Sequence, residues 1–310
     1  MIPNKIFFIW FGSNLPWTAG LAILSAYKIQ MPEEITLYYN DSIPTGEGYE
    51  LIKNIPTLKF EKIIPDYFEN LEDGGITYKL YNELPSPATK ANLLRLALLY
   101  KQGGIYLDTD VIVVRPIKHL LNQNGFCGTE PVALPQDLFS SLNILRWIGC
   151  GLKFAFREFC ARIPRGYSAF RLLEGKFTAA ANNAVLASVP QNPLIKQAFL
   201  TIAKMPSKEQ HKRFRLGTHL LQRLTRNQSS SEMTVYPSSF FYPLGPEISA
   251  HWFYSGTDKK LDDLLFADTC IVHWYNSVEG RFLKEKLDKN WIHNHPNTAF
   301  SAMAQKILSL

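Results

Sequence analysis

Lys101 to Pro116 reads KQGGIYLDTDVIVVRP, and the fold is decided by how this stretch is read. Two carboxylates, Asp108 and Asp110, stand one residue apart. Ile105-Tyr106-Leu107 precedes them, and Val111-Ile112-Val113-Val114 comes after as a β-branched run that reads as strand. Alternate residues of extended backbone share a side, so both acids face the same way. Such a pair grips a hard divalent cation, Mg²⁺ or Mn²⁺, together with a substrate's phosphates. A chain of this length carries about one D-x-D by chance, so the flanking sequence has to decide between a site and a solvated turn.

The flank in front is a helix. Ser86-Pro87 reads as an N-cap followed by proline at the first helical position. Ala88 to Lys101 is apolar nearly all round, as expected of a helix buried within a domain, and Gly103-Gly104 ends it. Helix, glycine turn, strand and acid pair in this order place the acids at the carboxyl edge of a strand in an α/β sheet. Ligands bind at that edge. Asn92 and Arg95 share a face of the helix, and one of the two readings of Arg95 is a buried ion-pair partner for Asp108.

The chain has 310 residues, 46% of them apolar, and a net charge of +6. It is expected to form one α/β domain over 1–310 with a helical insertion at about 138–167. No basic run with interleaved aromatics is present, which argues against a nucleic-acid partner. Cys127, Cys150, Cys160 and Cys270 are scattered without ligand spacing and read as reduced, buried thiols. MIPNKIFFIWFG has no leader pattern and no apolar run reaches spanning length, so a cytoplasmic placement is expected.

Lys5 to Phe11 reads as a first buried strand, Trp17 to Gln30 as a helix and Ile35 to Tyr39 as a second strand. Leu51 to Tyr67 reads as irregular, with Lys59-Phe60 the one extended pair. Phe126 to Ala133 reads as strand and loop beside the site, with Glu130 either facing it or, as expected, a solvated acid. In 138–167 apolar residues recur at Leu138, Leu142, Leu145, Leu152, Phe156, Phe159 and Ile163, close to helical period, among five cations and one acid. A basic amphipathic helix of this kind suits an anionic membrane surface, with Arg146, Lys153 and Arg157 expected on lipid phosphates. The other reading is an insertion packed on the domain. Asn192-Pro193 starts a helix. His273 ends the apolar strand Cys270-Ile271-Val272, and His293 and His295 mark a polar loop.

ATKANLLRLALLYKQGGIYLDTDVIVVRPI, residues 88–117, resembles the DXD signature of glycosyltransferase family 32. That family includes α-1,4-galactosyl- and α-1,4-N-acetylglucosaminyltransferases and the glucosyltransferase domains of clostridial toxins. The resemblance extends in family order over 2–12, 85–117, 180–188, 215–222, 236–243 and 268–282. It implies the GT-A fold, a Rossmann-like mixed sheet flanked by helices. It also implies a retaining, metal-dependent transfer of a hexose from a nucleotide sugar, UDP-linked, to a glycan or lipid-linked glycan. Trp10 matches the position that stacks on uracil. Ile9, Trp10, Asn92, Arg95, Tyr106, Asp108, Thr109 and His273 are the implied nucleotide-sugar contacts. Asp108, Asp110 and His273 are the implied ligands of Mn²⁺ or Mg²⁺. Asp108 and Asp110, with Asn182 and Asn183 near the donor sugar, form the implied catalytic set. Tyr236 to Pro243 matches a late strand, and Gly280-Arg281-Phe282 a closing G-x-R-F element.

The chain departs from the family at Phe7 in place of His, at Ala91-Asn92 in place of Ser-Asp, at Thr218 in place of Pro, and in the 138–167 insertion. The expected role is in bacterial surface polysaccharide or lipopolysaccharide synthesis, at the inner face of the cell membrane. An effector that glycosylates a host protein, a sugar-nucleotide-binding module without turnover, and a structural scaffold are the alternatives.

Overall fold

The computed structural model describes residues 1–69, 71, 74–212, 214–226, 231–254, 261–276, 283 and 286–310. Nine strands are present among them: β1 Lys5–Trp10, β2 Glu34–Tyr39, β3 Leu58–Lys62, β4 Gly104–Leu107, β5 Val111–Val113, β6 Gly125–Val132, β7 Thr178–Ser188, β8 Thr234–Tyr236 and β9 Ile271–His273. Seven of them form one mixed sheet in the order β3-β2-β1-β4-β7-β6-β8. β1 runs parallel to β2 and β4, β2 to β3 and β6 to β8, whereas β4 and β7 are antiparallel. With helices alternating along the chain, this is the mixed α/β sheet expected of the GT-A fold. β5 and β9 form a separate antiparallel pair.

The chain divides into two compact units: Met1–Thr109 with Pro116–Gly128 and Ala181–Tyr236, and Asp110–Arg115 with Thr129–Ala180 and Pro237–Leu310. The core of the first unit gathers on the helix Pro87–Gln102, whose Leu93 to Leu99 are all buried, Arg95 included. That helix begins as the local chemistry dictates. The Ser86 hydroxyl accepts the Thr89 amide at 3.3 Å, and Pro87 comes directly after the cap. It ends at Gly103, with φ of +66°. The next residue, Gly104, has φ of +108°, and a Cβ there would lie 2.8 Å from the Lys5 carbonyl. Only glycine therefore lets β4 come into register with β1, pairing Ile6 with Ile105 and Phe7 with Tyr106.

The second unit is held by aromatic packing. Phe300 meets Phe253 at 5.3 Å and Trp274 at 5.4 Å between ring centroids, and Trp291 packs on Phe253 at 6.0 Å. All four cysteines are free and buried. No described helix is long and apolar enough to cross a membrane.

Several local expectations are corrected. The first helix is α-helical over Trp17–Ser25 and then widens into a π turn, Ala26–Gln30, ending at Met31 with φ of +48°. The stretch read as irregular, Leu51 to Tyr67, takes in the end of a helix, Glu47–Ile52, and holds a full strand, β3. The 236–243 segment is not a strand. β8 stops at Tyr236, Pro237 breaks its ladder, and Ser238–Phe241 turns into a helix. In the insertion the long helix starts at Ile144 rather than near 138, because Asn143 caps it by accepting the Arg146 amide at 3.2 Å. It ends at Arg162, and a second helix, Gly166–Leu173, comes next. Gly280, Arg281 and Phe282 lie outside the described residues.

Candidate functional site

The carboxyl ends of the parallel strands β1, β2 and β4 bring Trp10, Asn40 and Asp108 to one edge of the sheet in the first unit. Ile9, one residue earlier, faces the core and is 6% exposed, so it supports the edge from below. Trp10 is half-buried, and its Nε1 has no hydrogen-bond partner among the described residues.

Asp108 is held by a network running through the buried helix. Arg95 Nη2 lies 3.2 Å from Asp108 Oδ1, and the Tyr106 hydroxyl donates to the same oxygen. The Arg95 guanidinium stacks over the Tyr106 ring at 4.2 Å, donates to the Asn183 carbonyl, and donates through Nε to the Ala91 carbonyl at 3.3 Å. The Asp108 amide donates to the Ala184 carbonyl at 2.8 Å, which ties the acid to β7. Asn183 Nδ2 donates to Asn92 Oδ1 at 2.8 Å. A Cβ on Gly217 would sit 2.8 Å from that Asn92 oxygen and 2.9 Å from the Asn183 nitrogen, so glycine lets the 214–218 loop cover the amide pair. Asn182 is turned elsewhere, accepting the Ala184 amide at 2.7 Å. Of the two amides, Asn183 joins the network and Asn182 caps its own strand.

Asp110 is the second centre, within the other unit. His273 Nε2 lies 3.0 Å from Asp110 Oδ1, and the Asn276 amide donates to Oδ2 at 3.0 Å. The Trp274 amide donates to the Asp110 carbonyl at 3.1 Å. β5 and β9 align Val111 with His273, which sets the imidazole beside the acid. Tyr275, at φ of +60°, turns the chain so that the Asn276 amide comes back onto the carboxylate. Burial alone pushes the Asp110 carboxyl up, but His273 and the Asn276 amide outweigh it and hold the group below its usual value. Its ionised form therefore adds to stability above pH of about 4, and that contribution is lost as pH falls further.

The pattern around His273 extends to residues the sequence did not single out. The Tyr275 ring lies 4.0 Å from the imidazole, and its hydroxyl donates to Glu130 at 2.7 Å. Burial, with Glu130 beside it, pushes that hydroxyl well above the ordinary tyrosine value, so it stays a donor. Glu130 is thus half-buried and bonded rather than the solvated acid expected. It also lines an open cavity of about 420 Å³ within this unit, with Arg171, Glu174, Ser238 and the rings of Phe177 and Phe266. Arg171 donates to the Pro243 carbonyl at 3.2 Å and also to the Leu264 carbonyl, and stacks on Phe266 at 4.3 Å. Glu174 accepts the Ser238 hydroxyl at 2.8 Å. The only signal for Tyr275 and Asn276 in the sequence is their place just after His273 in HWYN; Glu130 has only its place in the strand and loop beside the acid pair, and Arg171 and Glu174 carry none.

Carboxylate oxygens and an imidazole nitrogen are the hard donors that suit Mn²⁺ or Mg²⁺. Both acids are already fixed in place by hydrogen bonds, as metal-binding carboxylates are. Thr109 lies in the turn between them and, like both acids, is half-buried. His293 and His295 lie apart in sequence, and His295 stacks on Trp291 at 4.4 Å.

Residues 30–127 match the family model described as the glycosyltransferase sugar-binding region containing DXD motif. The chain is 33% identical over 133 residues to "Glucan organizing enzyme 1" of Cryptococcus neoformans, covering 43% of this chain and 32% of that protein. It is 29% identical over 115 residues to "Alpha-1,4-N-acetylglucosaminyltransferase" of Homo sapiens, covering 33% of each. The chain thus spans about a third of the length of these curated relatives. Among solved structures, "PaToxG Glycosyltransferase" superposes with a TM-score of 0.45 at 17% identity, over 72% of this chain and 67% of that one.

Proposed function

With residues 30–127 carrying the DXD sugar-binding region of glycosyltransferases, we propose that this chain is a metal-dependent, retaining hexosyltransferase. It moves a hexose from a nucleotide sugar, UDP-linked, to a hydroxyl of a glycan or lipid-linked glycan. The observation that carries this reading is the fixed acid pair. Asp108 is pinned by Arg95 and Tyr106, Asp110 by His273 and the Asn276 amide, and one residue separates them in the chain.

Asp108, Asp110 and His273 would hold the divalent cation. When bound, it would offset the negative charge that develops on the departing nucleoside diphosphate. Arg95 is engaged by Asp108 and the Asn183 carbonyl, so it positions the acid. Trp10 at the end of β1 offers its face to the uracil. Asn183 is the amide we assign to the donor sugar, since Asn182 accepts the Ala184 amide of its own strand. The acceptor hydroxyl attacks the anomeric carbon on the face the diphosphate leaves. The bond from that carbon to the diphosphate oxygen breaks, and a donor phosphate oxygen takes the hydroxyl proton. No carboxylate has to act as a nucleophile, in contrast with the paired acids of a glycosidase.

The cavity beside Glu130 suits the acceptor. Its carboxylates, serine and arginine match sugar hydroxyls, and Phe177 and Phe266 offer faces to a pyranose ring. The acceptor belongs to bacterial surface polysaccharide or lipopolysaccharide synthesis, met at the cytoplasmic face on an anionic membrane surface through 138–167.

Base stacking on an aromatic contributes about 1–3 kcal/mol. Trp10→Ala is therefore expected to raise the dissociation constant of UDP by about ten- to a hundredfold, with its Mn²⁺ dependence unchanged. Titration calorimetry with UDP and GDP tests this. Equal binding of the two nucleotides, or no change on substitution, counts against the donor assignment.

A further inference from the structure

The long helix of the insertion, Ile144–Arg162, is amphipathic in the reverse sense to an ordinary surface helix. Ile144, Ile148, Leu152, Ala155 and Phe159 recur at three- and four-residue spacing and line one side. That side faces solvent: Ile144 is 73% exposed, Leu152 68% and Phe159 60%. Leu145 and Trp147 widen the exposed apolar surface on either flank, and Phe139, Leu142, Leu172 and Leu173 from the adjoining segments are exposed as well. The opposite side packs on its own unit. Cys150, Cys160 and Ala161 are buried, and His251 and Tyr254 bond the Cys160 and Ala161 carbonyls at 2.9 and 2.6 Å.

The cations expected on lipid phosphates sit on that inner side or are already engaged. Arg157 is gripped between Glu247 and Glu158 with its side chain 16% exposed. Arg146 pairs with Asp137 at 2.7 Å, and Lys153 lies over the Phe177 ring at 6.0 Å. A soluble chain rarely leaves so much contiguous apolar surface in water unless something covers it. The exposed C-terminal rim of the patch carries Arg165 and Lys176, and Arg162 beside them pairs with Glu158. Between Leu134 and Lys176 seven cations face three acids.

We propose that this face docks on the headgroup boundary of an anionic membrane, with Ile144, Leu145, Ile148, Leu152 and Phe159 entering the acyl region and the rim cations meeting lipid phosphates. The rim decides the occupant. A second copy of the chain would bring the same cations toward their own kind, whereas an anionic bilayer complements them. Burial of apolar side chains drives the binding, and the rim charges favour anionic over neutral lipid. Attachment therefore survives high salt, which weakens only the charged part. The proposal rests on the transferase reading only for its purpose, which is to bring the cavity beside Glu130 to a lipid-linked acceptor.

Flotation of the full chain with phosphatidylcholine–phosphatidylglycerol vesicles tests it without turnover. The chain is expected to float at low salt and to remain bound in high salt. Leu145→Glu, Ile148→Glu and Leu152→Glu together are expected to lower binding by about tenfold or more. All three side chains are exposed, so the fold tolerates the change, and circular dichroism checks this. Arg165→Glu with Lys176→Glu is expected to remove the preference for anionic vesicles, and Arg146→Gln with Lys153→Gln to leave binding within about twofold. A chain that does not float, or a triple glutamate variant that floats as before, overturns the proposal. So does a dimer, seen by light scattering, that the triple variant disperses, because the face would then be covered by a second copy. UDP binding is measured alongside. If it persists while flotation fails, the docking idea falls and the transferase reading stands.

Discussion

Asp110→Ala is expected to abolish the proposed sugar transfer while the fold survives. The expected fall in kcat/KM is about a thousandfold or more, at or above what losing one preorganised group facing a developing anion costs. The size comes from the position of the residue. Asp110 is one of two proposed carboxylate ligands, and it also gathers His273 and the Asn276 amide, so its loss releases a second proposed ligand. Asp110→Asn separates charge from shape. It keeps an acceptor oxygen for the Asn276 amide but brings no negative charge, so it is expected to be nearly as inactive. Mn²⁺-dependent binding of UDP weakens in both variants. Asp108→Ala acts in the same direction. Transfer at the wild-type rate by a folded double variant would remove the basis of the assignment.

Arg95→Ala is expected to cost stability as well as donor binding. The side chain is 5% exposed and serves Asp108, the Asn183 and Ala91 carbonyls and the Tyr106 ring at once. Breaking a buried ion pair from one side costs about 3–5 kcal/mol, and Asp108, at 27% exposed, keeps some contact with water, so the lower end applies. Arg95→Lys recovers little of this, because an ammonium cannot fork between a carboxylate and a carbonyl or stack on the ring. Thermal unfolding monitored with and without UDP and Mn²⁺ measures both effects. A variant with wild-type melting and wild-type nucleotide affinity would contradict the network.

The helix Pro87–Gln102, its cap, the glycine turn and the acid pair were legible because each rests on neighbours within a few residues. Ser86-Pro87 starts the helix and Gly103 ends it; the acids, read as alternating along extended backbone, instead follow the end of β4 with Thr109 and Asp110 in a turn. The Arg95–Asp108 ion pair was legible for a similar reason, since helix and strand are joined by a single tight turn. The features that could not be read depend on distant partners. β5 reads as a continuation of β4 but pairs with β9, far along the chain, and only that pairing puts His273 beside Asp110. Tyr275 and Asn276 gain their roles from a left-handed turn that no residue type there announces. The insertion shows the limit most plainly. Its period predicts an amphipathic helix, but periodicity does not say which side the protein takes. The Arg157–Glu247 pair and the buried Cys160 turn the apolar side outward.

The central claim is that a cation held at Asp108, Asp110 and His273 activates a nucleotide sugar for transfer. Release of nucleoside diphosphate from a panel of nucleotide sugars, with Mn²⁺ and with a chelator, tests it most directly. The account predicts release of UDP from a UDP-hexose with Mn²⁺, loss of that release in chelator, and none from Asp110→Ala under either condition. Undiminished release in chelator, or no release from any nucleotide sugar by the folded chain with Mn²⁺ and glycan acceptors present, would contradict it.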